Sequence, residues 1–295
     1  MRRVRATEMQ ATTAAARSRA SGLGRSGVPA DGAVTLAAEV IRRLAGGSRL
    51  LLATDYDGTL SPIVATPDQA WLSPGVRRDL TTLGRAPGVH VSVVSGRDVA
   101  DLQQRVGVPE LIYGGCHGFE IEGPGLSFQH PAALAGEKTL RAIGDDLAAR
   151  SLAIPGMYVE RKRFGVAVHY RLVAPEHLRA VRREVARVLG RQASACACLR
   201  GAKVIEIQPD VKWTKGDCVR WIRDRVGGAS GHRLEVLCLG DDTTDEHMFE
   251  AVRGEAITVR VARTRGASGA IRRLPDVASV HRLLAGLASW ARGGP

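Results

Sequence analysis

Two aspartates one residue apart, in Asp55-Tyr56-Asp57, stand directly behind an apolar run, Arg49 to Thr54 (RLLLAT). A second acidic cluster, Asp241-Asp242 with Asp245 close behind, follows another such run, Glu235 to Leu239. Between them in the chain lie two further polar positions. Ser95 opens Ser-Gly-Arg behind the run Val89 to Val94, and Lys215 sits where a helix should start. Singly, each signal is weak: Asp-x-Asp is commonly a turn or a helix cap, and Ser-Gly-Arg commonly a turn. In this order they supply what phosphoryl transfer to a carboxylate needs. Clustered carboxylates repel one another, a cation relieves the repulsion, and all-oxygen ligation selects Mg²⁺ or a similar hard ion. Asp55 is then suited to attack phosphorus and form an acyl phosphate. Asp57 is suited to protonate the leaving oxygen and later to deprotonate water, which predicts a drier setting for Asp57 than for Asp55. Ser95 can donate to a phosphoryl oxygen, Lys215 adds a point charge, and backbone N–H groups at Tyr56 and Gly58 complete the cradle. Thr59 is expected to cap the following turn and fix Asp57.

The elements that must position these residues are visible as apolar patterning. Runs at 49–54, 89–94, 111–113, 235–239 and 257–261 have strand length and no polar alternation, as strands buried on both faces do. They alternate with helical spacing at 36–44, 75–83, 212–226 and 276–290. This predicts an α/β fold with a doubly wound, parallel-sheet (Rossmann-like) core. Ligands of such sheets bind outside the carboxyl ends of the strands, where the acidic clusters and Ser95 fall. The character changes at about residue 136. A helix at 140–149, paired strands at 157–161 and 166–171, a charge-rich helix from Pro175 to Leu189 and an alternating strand at 203–207 follow. We read residues 136–207 as an inserted α+β cap domain, 36–135 and 208–295 as the core, and 1–35 as a disordered basic tail.

Charge and composition narrow the partners. The formal net charge is +12, but six arginines and one glutamate in the first 30 residues account for +5. The remainder is spread thinly, and aromatic residues make up 4% of the chain, too few for extensive base stacking. No nucleic-acid partner is expected beyond a weak association through the tail. The tail lacks the apolar segment of a signal peptide, and no apolar run reaches the ~20 residues of a membrane span, so no membrane partner is expected. The five cysteines include Cys196-Ala-Cys198, a spacing that fits neither a zinc pair nor a redox motif, which points to the cytoplasm. Cys218 and Cys238 read as core thiols. A monomer is expected.

In these residues the chain resembles the haloacid dehalogenase superfamily, whose four motifs match the four clusters in order. More narrowly, it resembles the trehalose-6-phosphate phosphatase family. The stretches that carry this are Asp55–Ile63 (DYDGTLSPI), Tyr113–Ile121 (YGGCHGFEI), Tyr158–Arg171 (YVERKRFGVAVHYR), Lys203–Gly216 (KVIEIQPDVKWTKG) and Gly240–Phe249 (GDDTTDEHMF). The resemblance implies hydrolysis of trehalose 6-phosphate, a small sugar phosphate, with Asp55 as nucleophile and Asp57 as general acid and base. It implies Mg²⁺ held by Asp55, the Asp57 carbonyl and Asp241, with Asp242 and Asp245 as further metal ligands or as groups that support the ligands. It also implies a mobile cap whose Glu160, Lys162, Lys203 and Glu206 meet the sugar, with His117 and Arg161 as further candidates. His169 and Trp213 are expected to be structural. The core motifs alone equally suit a sucrose-phosphate or glycosyl-phosphoglycerate phosphatase; the further alternative, a sugar-phosphate-binding partner without catalysis, is disfavoured by the presence of Asp55, Asp57, Lys215 and Asp241 together.

Overall fold

Leu50 to Ala53 form the middle of a strand buried on both faces, β1 (Arg49–Thr54), as the apolar run requires. Leu50 and Leu52 face one hydrophobic cluster, Leu51 and Ala53 the other. The computed structural model describes residues 32–64, 66–190, 196–201, 203–228, 233–264 and 266–293. Helix α1 (Gly32–Leu44) precedes β1. After it come α2 (Pro74–Arg85), β2 (Val89–Val94), α3 (Val99–Val106), β3 (Ile112–Gly115), β4 (Glu120–Gly123) and β5 (Leu126–Gln129). The inserted segment holds α4 (Pro131–Ser151), β6 (Tyr158–Lys162), β7 (Gly165–His169), α5 (Leu178–Leu189), β8 (Cys196–Gly201) and β9 (Val204–Pro209). The chain returns through α6 (Lys215–Gly227), β10 (Leu234–Gly240), α7 (Glu246–Ala251), β11 (Ala256–Val261), β12 (Arg272–Leu274) and α8 (Val277–Arg292).

The core is an eight-stranded sheet in the order β12-β11-β10-β1-β2-β3-β4-β5. Strands from β12 to β3 run parallel, whereas β4 and β5 pair antiparallel at one edge. The sheet is therefore mixed rather than wholly parallel. Helices α1, α2, α3 and α8 contribute to the cluster on one face, α6 and α7 to that on the other. The inserted segment folds into a four-stranded antiparallel sheet, β6-β7-β9-β8. One face of it packs on α4 and α5 through Val166, Val168, Ile205 and Ile207. The alternate positions, including Glu160, Lys162, Ala167 and Glu206, lie on the other face.

Two boundaries differ from expectation. The expected tail lies outside the described residues up to residue 31, but 32–35 belong to α1, because Ala33 extends the buried stripe of Leu36, Ala37, Val40 and Leu44 by one turn. The cap begins before residue 136. Its first helix starts at Pro131, where proline suits the first helical position and the His130 ring accepts from Ala132 N at 3.2 Å. Among the described residues no helix is long and apolar enough to cross a membrane.

Candidate active site

Strands β1 and β10 are neighbours, with Thr54 beside Leu239. The winding of the sheet reverses between them: β2 and β3 continue outward beyond β1, β11 and β12 beyond β10. This is the switch point at which open α/β sheets form a crevice. Asp55 and Asp241 leave the two strand ends side by side. The turn after Asp55 passes over Asp241 at Gly58, which has φ +89°, and a Cβ there would lie 2.2 Å from Asp241 Oδ2. Carboxylate oxygens of Asp55, Asp241 and Asp245 all lie within 4.8 Å of one another. Lys215 opens α6 and points into this cluster. Its Nζ donates to Asp55 Oδ1 and Asp245 Oδ1, each at 2.7 Å. Thr214 caps the helix through a reciprocal pair with Asp217, which fixes where Lys215 starts. The other Asp245 oxygen accepts from the N–H groups of Asp241 and Asp242 at 2.8 and 2.9 Å.

The electrostatics follow from counting charges. Lys215 is held well above its ordinary range: burial opposes its charge, but Asp245 and Asp55 outweigh that. Three carboxylates, those of Asp55 and Asp245 buried and that of Asp241 half-buried, still exceed one ammonium. Asp55 accordingly has its proton affinity raised by burial and by Asp245 and Asp241, against the pull of Lys215. Asp241 is pushed up to about 7, by burial first and by Asp245 second. A cluster that retains protons this strongly also favours a cation in their place.

Asp57 is not one of the three converging carboxylates. Arg97 grips it with two hydrogen bonds, Nε to Oδ2 at 2.6 Å and Nη2 to Oδ1 at 2.8 Å. The expected difference in hydration is reversed: the Asp57 side chain is 38% exposed and that of Asp55 6%. The strand end buries Asp55, while Asp57 lies on the open side of the turn. Arg97 was legible only as part of Ser-Gly-Arg; nothing in the sequence named its partner. Ser95 is buried, and its hydroxyl oxygen accepts from Arg97 N at 3.3 Å. The Gly58 N–H, expected in the phosphate cradle, donates to Ser61 O at 2.7 Å, because the turn closes on itself. Tyr56 is buried, and its hydroxyl donates to Ala70 O. Thr59 does not cap the turn: its hydroxyl donates to Asp241 Oδ1 at 3.2 Å. Asp242 is exposed and accepts from Thr243 N, so Asp245 rather than Asp242 completes the carboxylate trio.

Four of the expected sugar contacts lie on or against the free face of the cap sheet. Lys162 Nζ donates to Glu206 Oε1 at 3.0 Å, and Glu206 Oε2 lies 3.0 Å from Nε2 of His117, a core residue. Gly96, Cys116, His117, Lys162 and Glu206 line one cleft between core and cap. Glu160 pairs with His169 at 2.8 Å, so His169 orients a candidate contact instead of packing passively. Burial works against the Glu160 charge, but His169 and then Lys162 hold its carboxyl below the ordinary range, with Arg97 adding a further positive field. The structure does not bring in the other two. Arg161 alternates to the opposite face and pairs with Asp145 at 2.6 Å, and Lys203 is exposed at the β8–β9 turn. Trp213 anchors packing: its Nε1 donates to Gly118 O and its ring stacks on Phe128.

Glu206 gives a pH prediction. Burial alone would raise its carboxyl, yet Lys162 and then His117 hold it well below the ordinary value of 4.5. A depressed carboxyl stabilises the folded chain above its unfolded value and loses that contribution as pH falls below it. In urea titrations, wild type should exceed Glu206→Gln in stability at about pH 6, and the gap should close towards about pH 3. A gap independent of pH would contradict the ion pair.

A sequence model of the trehalose-phosphatase family matches residues 53–273. The trehalose-phosphate phosphatase of Mycobacterium tuberculosis (strain ATCC 25618 / H37Rv) is 42% identical over 212 residues, 71% of this chain and 53% of that protein. That of Mycobacterium leprae (strain TN) is 45% identical over 207 residues, 68% and 47% respectively. The chain thus spans about half the length of these relatives. Among solved structures, the C-terminal domain of the C. albicans trehalose-6-phosphate phosphatase has a TM-score of 0.70 at 25% identity, covering 85% of this chain and 96% of that one. A trehalose-6-phosphate phosphatase related protein has a TM-score of 0.73 at 21% identity, covering 83% and 100%, a likeness of fold. Strand order, carboxylate-bearing switch point and inserted sheet together make this a haloacid-dehalogenase-type α/β fold. The chain belongs to the trehalose-phosphatase family.

Proposed function

We propose that this chain hydrolyses trehalose 6-phosphate to trehalose and phosphate, with Mg²⁺ bound and the phosphoryl group carried on Asp55. The observation that supports this reading is the convergence of Asp55, Asp241 and Asp245 on Lys215 at the strand ends. The donor set fits a hard divalent cation: the converging ligands are carboxylate oxygens, and their charge exceeds that of Lys215 by two. Asp55, Asp241 and Asp245 would hold it, with Asp57 and Asp242 nearby in sequence. When bound, it relieves the repulsion between substrate phosphate and Asp55.

Lys215 engages Asp55 Oδ1, which leaves Oδ2 to attack phosphorus. The bond from phosphorus to the sugar oxygen breaks, and that oxygen takes a proton from Asp57. Asp57 then takes a proton from water, whose oxygen attacks the same phosphorus. The bond to Asp55 breaks and phosphate leaves. Arg97 now holds both Asp57 oxygens, so proton delivery requires this pair to open. The substrate phosphate offers Arg97 another anion to bind. Lys215, Ser95 and the Tyr56 backbone meet the phosphate, while Glu160, Lys162, Glu206 and His117 bracket the sugar. We read the chain as a monomer acting in the cytoplasm on a small molecule, without nucleic-acid or membrane partners.

Phosphate release from trehalose 6-phosphate, sucrose phosphate and a small aryl phosphate, each with Mg²⁺ or with chelator, tests the reading. Trehalose 6-phosphate should be preferred, and the chelator should abolish release. Preference for sucrose phosphate, or turnover in chelator, would overturn it.

A further inference from the structure

Asp98 holds the N-cap position of α3 yet makes no cap hydrogen bond to its own helix. An aspartate there ordinarily accepts from an N–H of the first helical turn. Here its Oδ1 is aimed at the inserted domain. It accepts from Arg163 N at 2.9 Å and from the Cys116 thiol at 2.9 Å. Arg163 and Phe164 are the turn between β6 and β7. The same turn is docked on the core twice more. The Arg163 guanidinium pairs with Glu120 of β4, and Phe164 is fully buried against Cys116, Phe119 and Ala133. Trp213, in the returning linker, packs on that cluster, and Ala133 lies in the first turn of α4. Both covalent crossings between core and cap therefore meet the turn at one apolar knot.

On the core side, Asp98 follows directly on the segment bearing Ser95 and Arg97. Cys116 N donates to Arg97 O at 2.7 Å, and His117 N to Ser95 O at 2.8 Å. Cys116 and His117 both have left-handed backbones, φ 49° and 59°, a strained arrangement that persists only where neighbours hold it. On the cap side, Lys162 is the residue before Arg163, and Glu160 is two residues further along the same face. A tilt of the turn therefore moves both, and Glu160 more.

We propose that Asp98 is a positioning residue that fixes the β6–β7 turn, and hence Glu160 and Lys162, relative to Ser95 and Arg97. The chain gives up a local helix cap to make a connection across the domain boundary. This rests on reading Glu160 and Lys162 as substrate contacts. Phe164 keeps the turn docked when Asp98 is lost, but its angle is no longer set.

Asp98→Ser is the informative variant. Serine can cap α3, so the fold is retained, but it is one atom too short to reach Arg163 N. Asp98→Asn keeps an acceptor of the right length. For Asp98→Ser, KM for trehalose 6-phosphate should rise about tenfold, with kcat/KM for p-nitrophenyl phosphate within about twofold of wild type. Asp98→Asn should recover most of the KM. Equal loss on both substrates, or an unchanged KM, would overturn the proposal. If the wild-type chain does not turn over trehalose 6-phosphate, the functional reading fails and hydrogen exchange decides the matter. Amides of the β6–β7 turn should exchange faster in Asp98→Ser than in wild type, and unchanged exchange would overturn the proposal.

Discussion

Asp55→Asn is expected to lower turnover by about 10⁴-fold or more while leaving the fold intact. Asparagine keeps the shape of the side chain and an oxygen for Lys215 to donate to, now at 2.7 Å. It removes the anion that attacks phosphorus. It also removes one of three mutually repelling carboxylates, itself buried, so the metal-free variant should melt no lower than wild type at neutral pH. Loss of activity with retained stability separates a chemical role from a structural one. Turnover within about a hundredfold of wild type would indicate that water attacks phosphorus directly.

Lys215→Met should lose stability as well as turnover. Its ammonium is the cation bonded to both Asp55 and Asp245, and their side chains are 6% and 0% exposed. Methionine matches the length and leaves two carboxylates buried without that partner. Removing one partner of a buried ion pair costs about 3–5 kcal/mol. The sign with pH is fixed by the same charges. Carboxylates whose proton affinity is raised in the folded chain destabilise it as pH climbs above their unfolded values. The deficit of Lys215→Met should therefore be larger at about pH 8 than at about pH 5, as read from denaturant midpoints. Turnover should also fall by about 10³-fold, since the charge that meets the transferring phosphoryl is gone. A stability deficit that does not grow with pH would argue against the buried carboxylate cluster.

The parts of the site that were legible are those carried by strand ends. Apolar runs at 49–54, 89–94 and 235–239 became β1, β2 and β10, and the residues behind them occupy one rim because parallel strands share a direction. The edge hairpin of β4 and β5 was less clear. Glu120 to Gln129 does alternate around Gly123-Pro124-Gly125, but its strands are only four residues long. The role of His169 was readable in principle. A turn at 163–164 pairs Glu160 with Ala167 and Tyr158 with His169, which makes His169 the diagonal neighbour of Glu160. Asp245, legible as part of the acidic cluster, is held in place as the N3 residue of a capping box begun by Asp242. The pairs Arg97–Asp57 and Asp98–Arg163 span 40 and 65 residues, and no local pattern signals them. The relative wetness of Asp55 and Asp57 is likewise invisible to local pattern. Chemistry suggested which should be dry, whereas the path of the turn past the strand end determined it.

Covalent trapping shows whether the phosphoryl group passes through Asp55. Borohydride reduces an acyl phosphate on aspartate to homoserine. The protein would be quenched with borohydride during turnover of trehalose 6-phosphate in Mg²⁺, digested, and its peptides weighed. Homoserine is expected at position 55, absent without substrate and absent in Asp55→Asn. Active turnover with no reduced residue, or with reduction at Asp57, Asp241 or Asp245 in its place, would contradict it.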